Sequence, residues 1–131
     1  MTDSEPTALT GAAAIFAVED VARSAEFYRD ALGFRIVFKY GQPEFYAGVE
    51  RDDVVIHLQA SGPHKRQVGQ GALYAYCRDV DALHREFKAR GARNLQEPQD
   101  YGYGMRDFAL VDLDGNRLCF GMQSKSSAGR T

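Results

Sequence analysis

The chain holds three histidines, two cysteines and seven tyrosines, and their placement limits the chemistry open to it. His57 interrupts the apolar run Val54-Val55-Ile56-His57-Leu58. An imidazole with an ordinary pKa of ~6.5 suits general-base work. No carboxylate is spaced to orient it, so the plainer reading is a wall histidine hydrogen-bonded to a tyrosine. His64, in the loop Ser61-Gly62-Pro63-His64-Lys65, reads as solvated, and His84 reads as packing at the edge of an apolar helix stripe. Tyr74 and Tyr76 alternate on one strand and share a face. They are either cross-strand packing or the lining of a ligand site. Tyr101 and Tyr103 lie in a glycine-spaced loop, where flat rings suit a planar ligand. Cys119 reads as a small buried hydrophobe rather than a nucleophile. Cys77 and Cys119 form neither a CxxC pair nor a disulfide framework.

The elements that must position these residues show an internal repeat. Residues 12–34 and 71–92 each contain a short apolar strand, an Asp, an amphipathic helix and a closing Gly. Val21, Ala25, Tyr28 and Leu32 fall on one face of the first helix, and Val80, Leu83 and Phe87 on one face of the second. Asp20 and Asp79 stand at N-cap positions, Gly33 and Gly91 at C-terminal left-handed positions. A repeat of about 60 residues follows. Strand-like runs at 34–40, 44–50 and 53–59 follow the first helix. A Gly/Tyr-rich loop at 99–106 and runs at 107–112 and 116–122 follow the second, with Asp114-Gly115-Asn116 as a turn. Each half therefore reads β-α-β-β-β, with the first strand after the second helix weak. Strand alternation sets Ile56, Leu58, Leu73, Ala75, Leu118 and Phe120 on an apolar face for the helices. It sets Val55, His57, Gln59, Tyr74, Tyr76, Arg117 and Cys119 on a mixed face that could line a cavity.

The 131 residues make one domain: module one at about 11–60, module two at about 71–122, and flexible ends at 1–10 and 123–131. With 16 Lys+Arg against 18 Asp+Glu, nothing draws the chain to nucleic acid or an anionic membrane. No apolar run approaches the ~20 residues of a bilayer span, and the acidic, polar start is unlike a secretory leader. A reduced, cytoplasmic protein is expected.

Two such modules resemble the glyoxalase/bleomycin-resistance/extradiol-dioxygenase superfamily, the vicinal-oxygen-chelate fold. The matching words are V-E-D-V-A-R-S-A-E-F-Y-R-D-A-L-G-F at 18–34 and D-L-D-G-N-R-L-C-F-G at 112–121. The second is similar to a D-P-D-G-N strand entry, with Leu113 in place of Pro. The resemblance implies an α+β fold: two β-α-β-β-β modules forming a curved, cavity-lining mixed sheet, with helices on the outer face. Metal enzymes of the superfamily take four ligands from the first and last strands of the modules, and the matching positions hold Ala13, His57, Ala72 and Cys119. Two alanines leave too few donors for the usual three protein ligands, so no metal and no cofactor are expected. The metal-free bleomycin-resistance branch is the nearer resemblance. The runs F-Y-A-G-V-E-R-D-D-V-V-I-H-L at 45–58 and Y-G-M-R-D-F-A-L at 103–110 are similar to its strands and aromatic loop.

The resemblance implies a small-molecule binding protein, a homodimer in the family's manner, holding a planar ligand such as an antibiotic on its concave face. Ile15, Val55, His57, Tyr74, Tyr76, Arg117 and Cys119 form the expected wall, with Phe45, Tyr103 and Met105 as a rim. Glu44, Glu50, Asp52 and Asp53 near that rim tilt the expected ligand towards a cation. The alternative is a metal-independent lyase or isomerase on the same scaffold using His57 or a Tyr as base. A metal-dependent glyoxalase or dioxygenase is the third reading.

Overall fold

Asp20 and Asp79 do what their positions promise. Each side chain accepts a hydrogen bond from a backbone N–H of the first helical turn, Arg23 N and Ala82 N respectively. The first helix stops at Gly33, whose φ of 73° is left-handed, and Phe34 N closes it on Tyr28 O. The second ends two residues before Gly91, at Ala89, with Arg90 as its cap and Gly91 at φ 92°.

The computed structural model describes residues 6–62 and 66–124. The elements run β1 (Ala14–Val18), α1 (Val21–Leu32), β2 (Arg35–Gly41), β3 (Glu44–Arg51), β4 (Val54–Ala60), β5 (Ala72–Tyr76), α2 (Val80–Ala89), β6 (Gln99–Asp100), β7 (Met105–Val111) and β8 (Arg117–Gln123). This is an α+β fold of two four-stranded mixed sheets, ordered β1-β4-β3-β2 and β5-β8-β7-β6. In each, the first strand pairs in parallel with the last and the other pairs are antiparallel. The two-residue β6 is the strand that was weak in the sequence. His64 and most of the two expected flexible ends lie outside the described residues. β8 continues through Gln123, and Ser124 behind it is buried, its N–H donating to Gly104 O.

The helices pack on the sheets, as their apolar stripes require. Val21, Tyr28, Leu32, Val80 and Phe87 are buried, together with the sheet residues Ile56, Leu58, Ala75, Leu118 and Phe120. Each large side chain so buried contributes about 1.5–3 kcal/mol. His84 sits deeper than the edge position expected of it. It is only 6% exposed and stands edge-on to Phe108, with Nε2 lacking a hydrogen-bond partner. Stripe periodicity places it at the edge, but the contact with Phe108 of β7 draws the ring into the core.

Polar contacts join the modules at two ends. At one, Tyr28 Oη donates to Asp112 Oδ2 over 2.8 Å, Asn116 Nδ2 donates to Ala17 O, and Glu19 N donates to Asp114 Oδ1. At the other, Arg51 donates both Nη groups to Glu86 at 2.9 and 2.8 Å, and Nη1 also reaches Leu32 O. Asp112, Asp114 and Asn116 of the β7–β8 turn make the contacts at the first end. Only Asp52 and Asp53 separate β3 from β4, and a cleft of about 920 Å³ remains on the helix side there.

Candidate functional site

The face opposite the helices carries an aromatic group in each module. In the first, strand register aligns Ile15, His57 and Gly48 across β1, β4 and β3, with Phe38 of β2 beside Gly48. A Cβ at Gly48 would overlap the Phe38 ring, so the glycine lets that ring lie flat across β3. Phe38 stacks on Tyr46 at 6.1 Å and meets His57 edge-on at 5.2 Å. Tyr46 Oη and His57 Nδ1 are 3.0 Å apart. His57 thus makes the hydrogen bond to a tyrosine that its position suggested.

The second module repeats the device. Tyr74 pairs with Cys119, and Tyr76 with Gly121, which is opposite Asp107. A Cβ at Gly121 would overlap the Tyr74 phenol, so here too a glycine makes room for a ring. That ring ends on Asp107. Oδ2 of this buried carboxylate accepts from Tyr74 Oη at 2.9 Å and from Tyr103 Oη at 2.7 Å. Tyr103 in turn stacks on Tyr101 with ring centroids 5.4 Å apart and planes 4° apart. Burial, with Asp107 second, pushes the Tyr74 phenol up. The hydrogen bond to Asp107 is the main cause that raises Tyr103, to about 12. Both phenols are therefore donors at neutral pH. Burial first, then Asp107, also raises the Cys119 thiol, which suits neither nucleophile nor metal ligand. Tyr74, Tyr101, Tyr103, Asp107, Arg117 and Cys119, with Ala72 and Leu73, line an open cavity of about 470 Å³. That size suits a small organic ligand.

Of the expected wall and rim, Tyr74, Arg117 and Cys119 come together with Tyr103 in this cavity. Tyr76 touches Tyr74 at 5.4 Å but is 79% exposed. Ile15, Val55 and His57 share the first module's face, apart from that cavity. Met105 shares a face with Asp107 and lies within β7. Phe45 shares strand parity with the buried Ala47 and Val49, and its ring lies over Gly41. It does not join the concave group. Tyr46, Phe38, Asp107, Gly48 and Gly121 were not picked out from the sequence. Tyr46 and Gly48 share parity with the partner of His57, a signal that was there to use. Asp107 is the third residue of β7, four after Tyr103, and only the fold shows that two phenols converge on it.

The four positions that carry metal ligands in related enzymes do not make a donor set here. Ala13 and Ala72 offer no donor. His57 Nδ1 is engaged with Tyr46, and Cys119 stands in the other module's cavity beside Asp107. Among the described residues no three or more His, Cys, Asp or Glu side chains converge as they would around an ion. None of the described helices is long and apolar enough to cross a membrane.

A profile of the Glyoxalase/Bleomycin resistance protein/Dioxygenase superfamily matches residues 11–120. The chain belongs to that superfamily. No curated protein sequence matches it. Among solved structures, the bleomycin-binding protein of bleomycin-producing Streptomyces verticillus, complexed with copper(II)-bleomycin, superposes with a TM-score of 0.73 at 26% identity. The match covers 88% of this chain and 97% of that one. The bleomycin resistance determinant encoded on transposon Tn5 superposes with a TM-score of 0.74 at 23% identity, over 88% and 99%. TioX from Micromonospora sp. ML1 gives a TM-score of 0.74 at 20% identity, over 88% and 100%. The last two show the shared superfamily fold. This superfamily's scaffold carries both binding proteins and enzymes, so the chemistry has to be argued from the site.

Proposed function

We propose that the protein is a metal-free small-molecule binding protein that holds a planar, partly polar ligand in the module-two cavity, an antibiotic being one candidate class. The observation that carries this reading is the convergence of Tyr74 and Tyr103 on Asp107. A buried carboxylate fixes two aromatic walls before any ligand arrives, so little ordering cost is left for binding. The likeness to a bleomycin-binding protein supports a sequestering role, which needs a preformed cleft and no chemical step. A twofold homodimer belongs to the same reading, because Tyr40, Tyr76 and Tyr103 are 60%, 79% and 65% exposed in one chain and a second copy would cover them.

Calorimetric titration with copper-loaded bleomycin and with a panel of planar aromatic compounds tests the reading. Tyr74→Ala and Tyr103→Ala should each weaken the bound compound by about 1–3 kcal/mol, the range for stacked aromatic contacts, with circular dichroism unchanged. Affinity untouched by both truncations sinks the cavity assignment. Stoichiometric zinc, iron or manganese that is lost in His57→Ala sinks the metal-free part. Light scattering that finds monomer alone at micromolar concentration sinks the dimer.

The Tyr46–His57 hydrogen bond favours one second reading, a metal-independent lyase or isomerase in which His57 Nε2 acts as base while Nδ1–H donates to Tyr46. Turnover abolished by His57→Gln, with ligand affinity retained, would select it.

A further inference from the structure

Two charged side chains line the module-two cavity, Asp107 and Arg117, and the fold treats them differently. Asp107 is 5% exposed, and one of its oxygens already accepts from two phenols. Its charge serves to hold the rings. At that exposure little of it faces the cavity for a cationic ligand to meet. Arg117 is exposed at the start of β8, flanked across the sheet by Ala72 and Val111. Neither neighbour has a polar side chain, and among the described residues the guanidinium has no ion-pair or hydrogen-bond partner. The carboxylates that suggested a cationic ligand are otherwise occupied. Glu50 pairs with Arg35, Glu44 lies 3.7 Å from Lys39, and Asp52 and Asp53 border the separate cleft on the helix side.

We propose that Arg117 sets the ligand class of this cavity: a planar aromatic molecule bearing a carboxylate or similar oxyanion. The inference rests on the cavity being the ligand site. The ring lies against the tyrosine side chains that line the cavity, and the oxyanion accepts from the Arg117 fork. A guanidinium presents two parallel N–H donors that match a carboxylate, and it is more weakly hydrated than an ammonium. The cavity of about 470 Å³ has room for a bicyclic aromatic acid.

Three probes of one shape and different charge test this: 2-naphthoate, neutral 2-naphthamide and 2-naphthylmethylammonium, titrated calorimetrically into wild type, Arg117→Gln and Tyr74→Ala. Naphthoate should bind wild type about tenfold more tightly than the amide, the ammonium more weakly than either, and Arg117→Gln should erase the naphthoate advantage. An ammonium that binds as well as naphthoate overturns the inference, as does a naphthoate preference that survives Arg117→Gln. If all three probes bind alike and all lose affinity in Tyr74→Ala, the cavity stands and the charge assignment falls. If none binds up to millimolar concentration, both fall.

Discussion

Tyr28 shows how much one hydroxyl can hold. It is fully buried on α1, yet its oxygen reaches 84 residues along the chain to Asp112, at 2.8 Å. Burial, reinforced by Asp112, keeps the phenol protonated far above its usual range, so it is always the donor. Asp112 Oδ2 also accepts from Asn116 Nδ2, while Oδ1 accepts from the N–H groups of Asp114 and Asn116. The β7–β8 turn is thereby pinned to the first module. Tyr28→Phe keeps the ring and removes the donor, leaving a buried carboxylate short of one bond. Urea unfolding should show a loss of about 1–3 kcal/mol. No measurable change would mean that solvent reaches Asp112. In the sequence Tyr28 reads as one more apolar residue of a helix stripe, and Asp112 as a turn residue. Each reading is right locally, and their bond is invisible because no pattern within 84 residues of chain links them.

Glycine under an aromatic ring is the element-scale device that shapes both concave faces. Gly48 in β3 and Gly121 in β8 carry Phe38 and Tyr74 across their strands. Gly121→Ala must push the Tyr74 phenol aside and so break its bond to Asp107. Ligand affinity should fall about as far as in Tyr74→Ala, with circular dichroism little changed, since the neighbouring Tyr76 side is open. Retained affinity in Gly121→Ala would show that the Tyr74–Asp107 bond plays no part in shaping the cavity. At this scale the sequence is informative about the strands and their faces, because period-2 alternation and the Asp and Gly caps are local signals. It is silent about which rings meet. His57, Tyr74, Arg117 and Cys119 are all legible as one strand face, but whether they line one common cavity depends on how the two sheets sit in one chain. Phe45 went astray because the irregular register between Tyr40 and Gly41 hides which face the start of β3 presents.

At the scale of the whole molecule, the joint between modules is ionic at one end. Arg51 of β3 and Arg90 beyond α2 both grip Glu86, at 2.8–2.9 Å and 2.7 Å, and Arg51 also reaches the last carbonyl of α1 at Leu32. The hydrogen bond from Arg51 is the main cause that holds the Glu86 carboxyl below the ordinary glutamate value of 4.5, and Arg90 adds to it. The unfolded chain therefore binds a proton at Glu86 more readily than the folded one does. Stability gained from this joint is fully present above about pH 4.5 and is lost as pH falls through the lower folded value. Asp81, held low chiefly by its bond from Arg106, titrates with the same sign. The diagnostic quantity is thus the gap between wild type and Glu86→Gln rather than the wild-type curve alone. Glutamine mimics the protonated acid, and the pair is partly exposed, so the gap should be about 1 kcal/mol at pH 7. Urea midpoints measured at pH 7, 4.5 and 3 should show the gap closing as Glu86 itself takes up a proton. A gap that stays constant down to pH 3 would assign the effect of the substitution to lost packing between the modules, and the ionic account of the joint would fail.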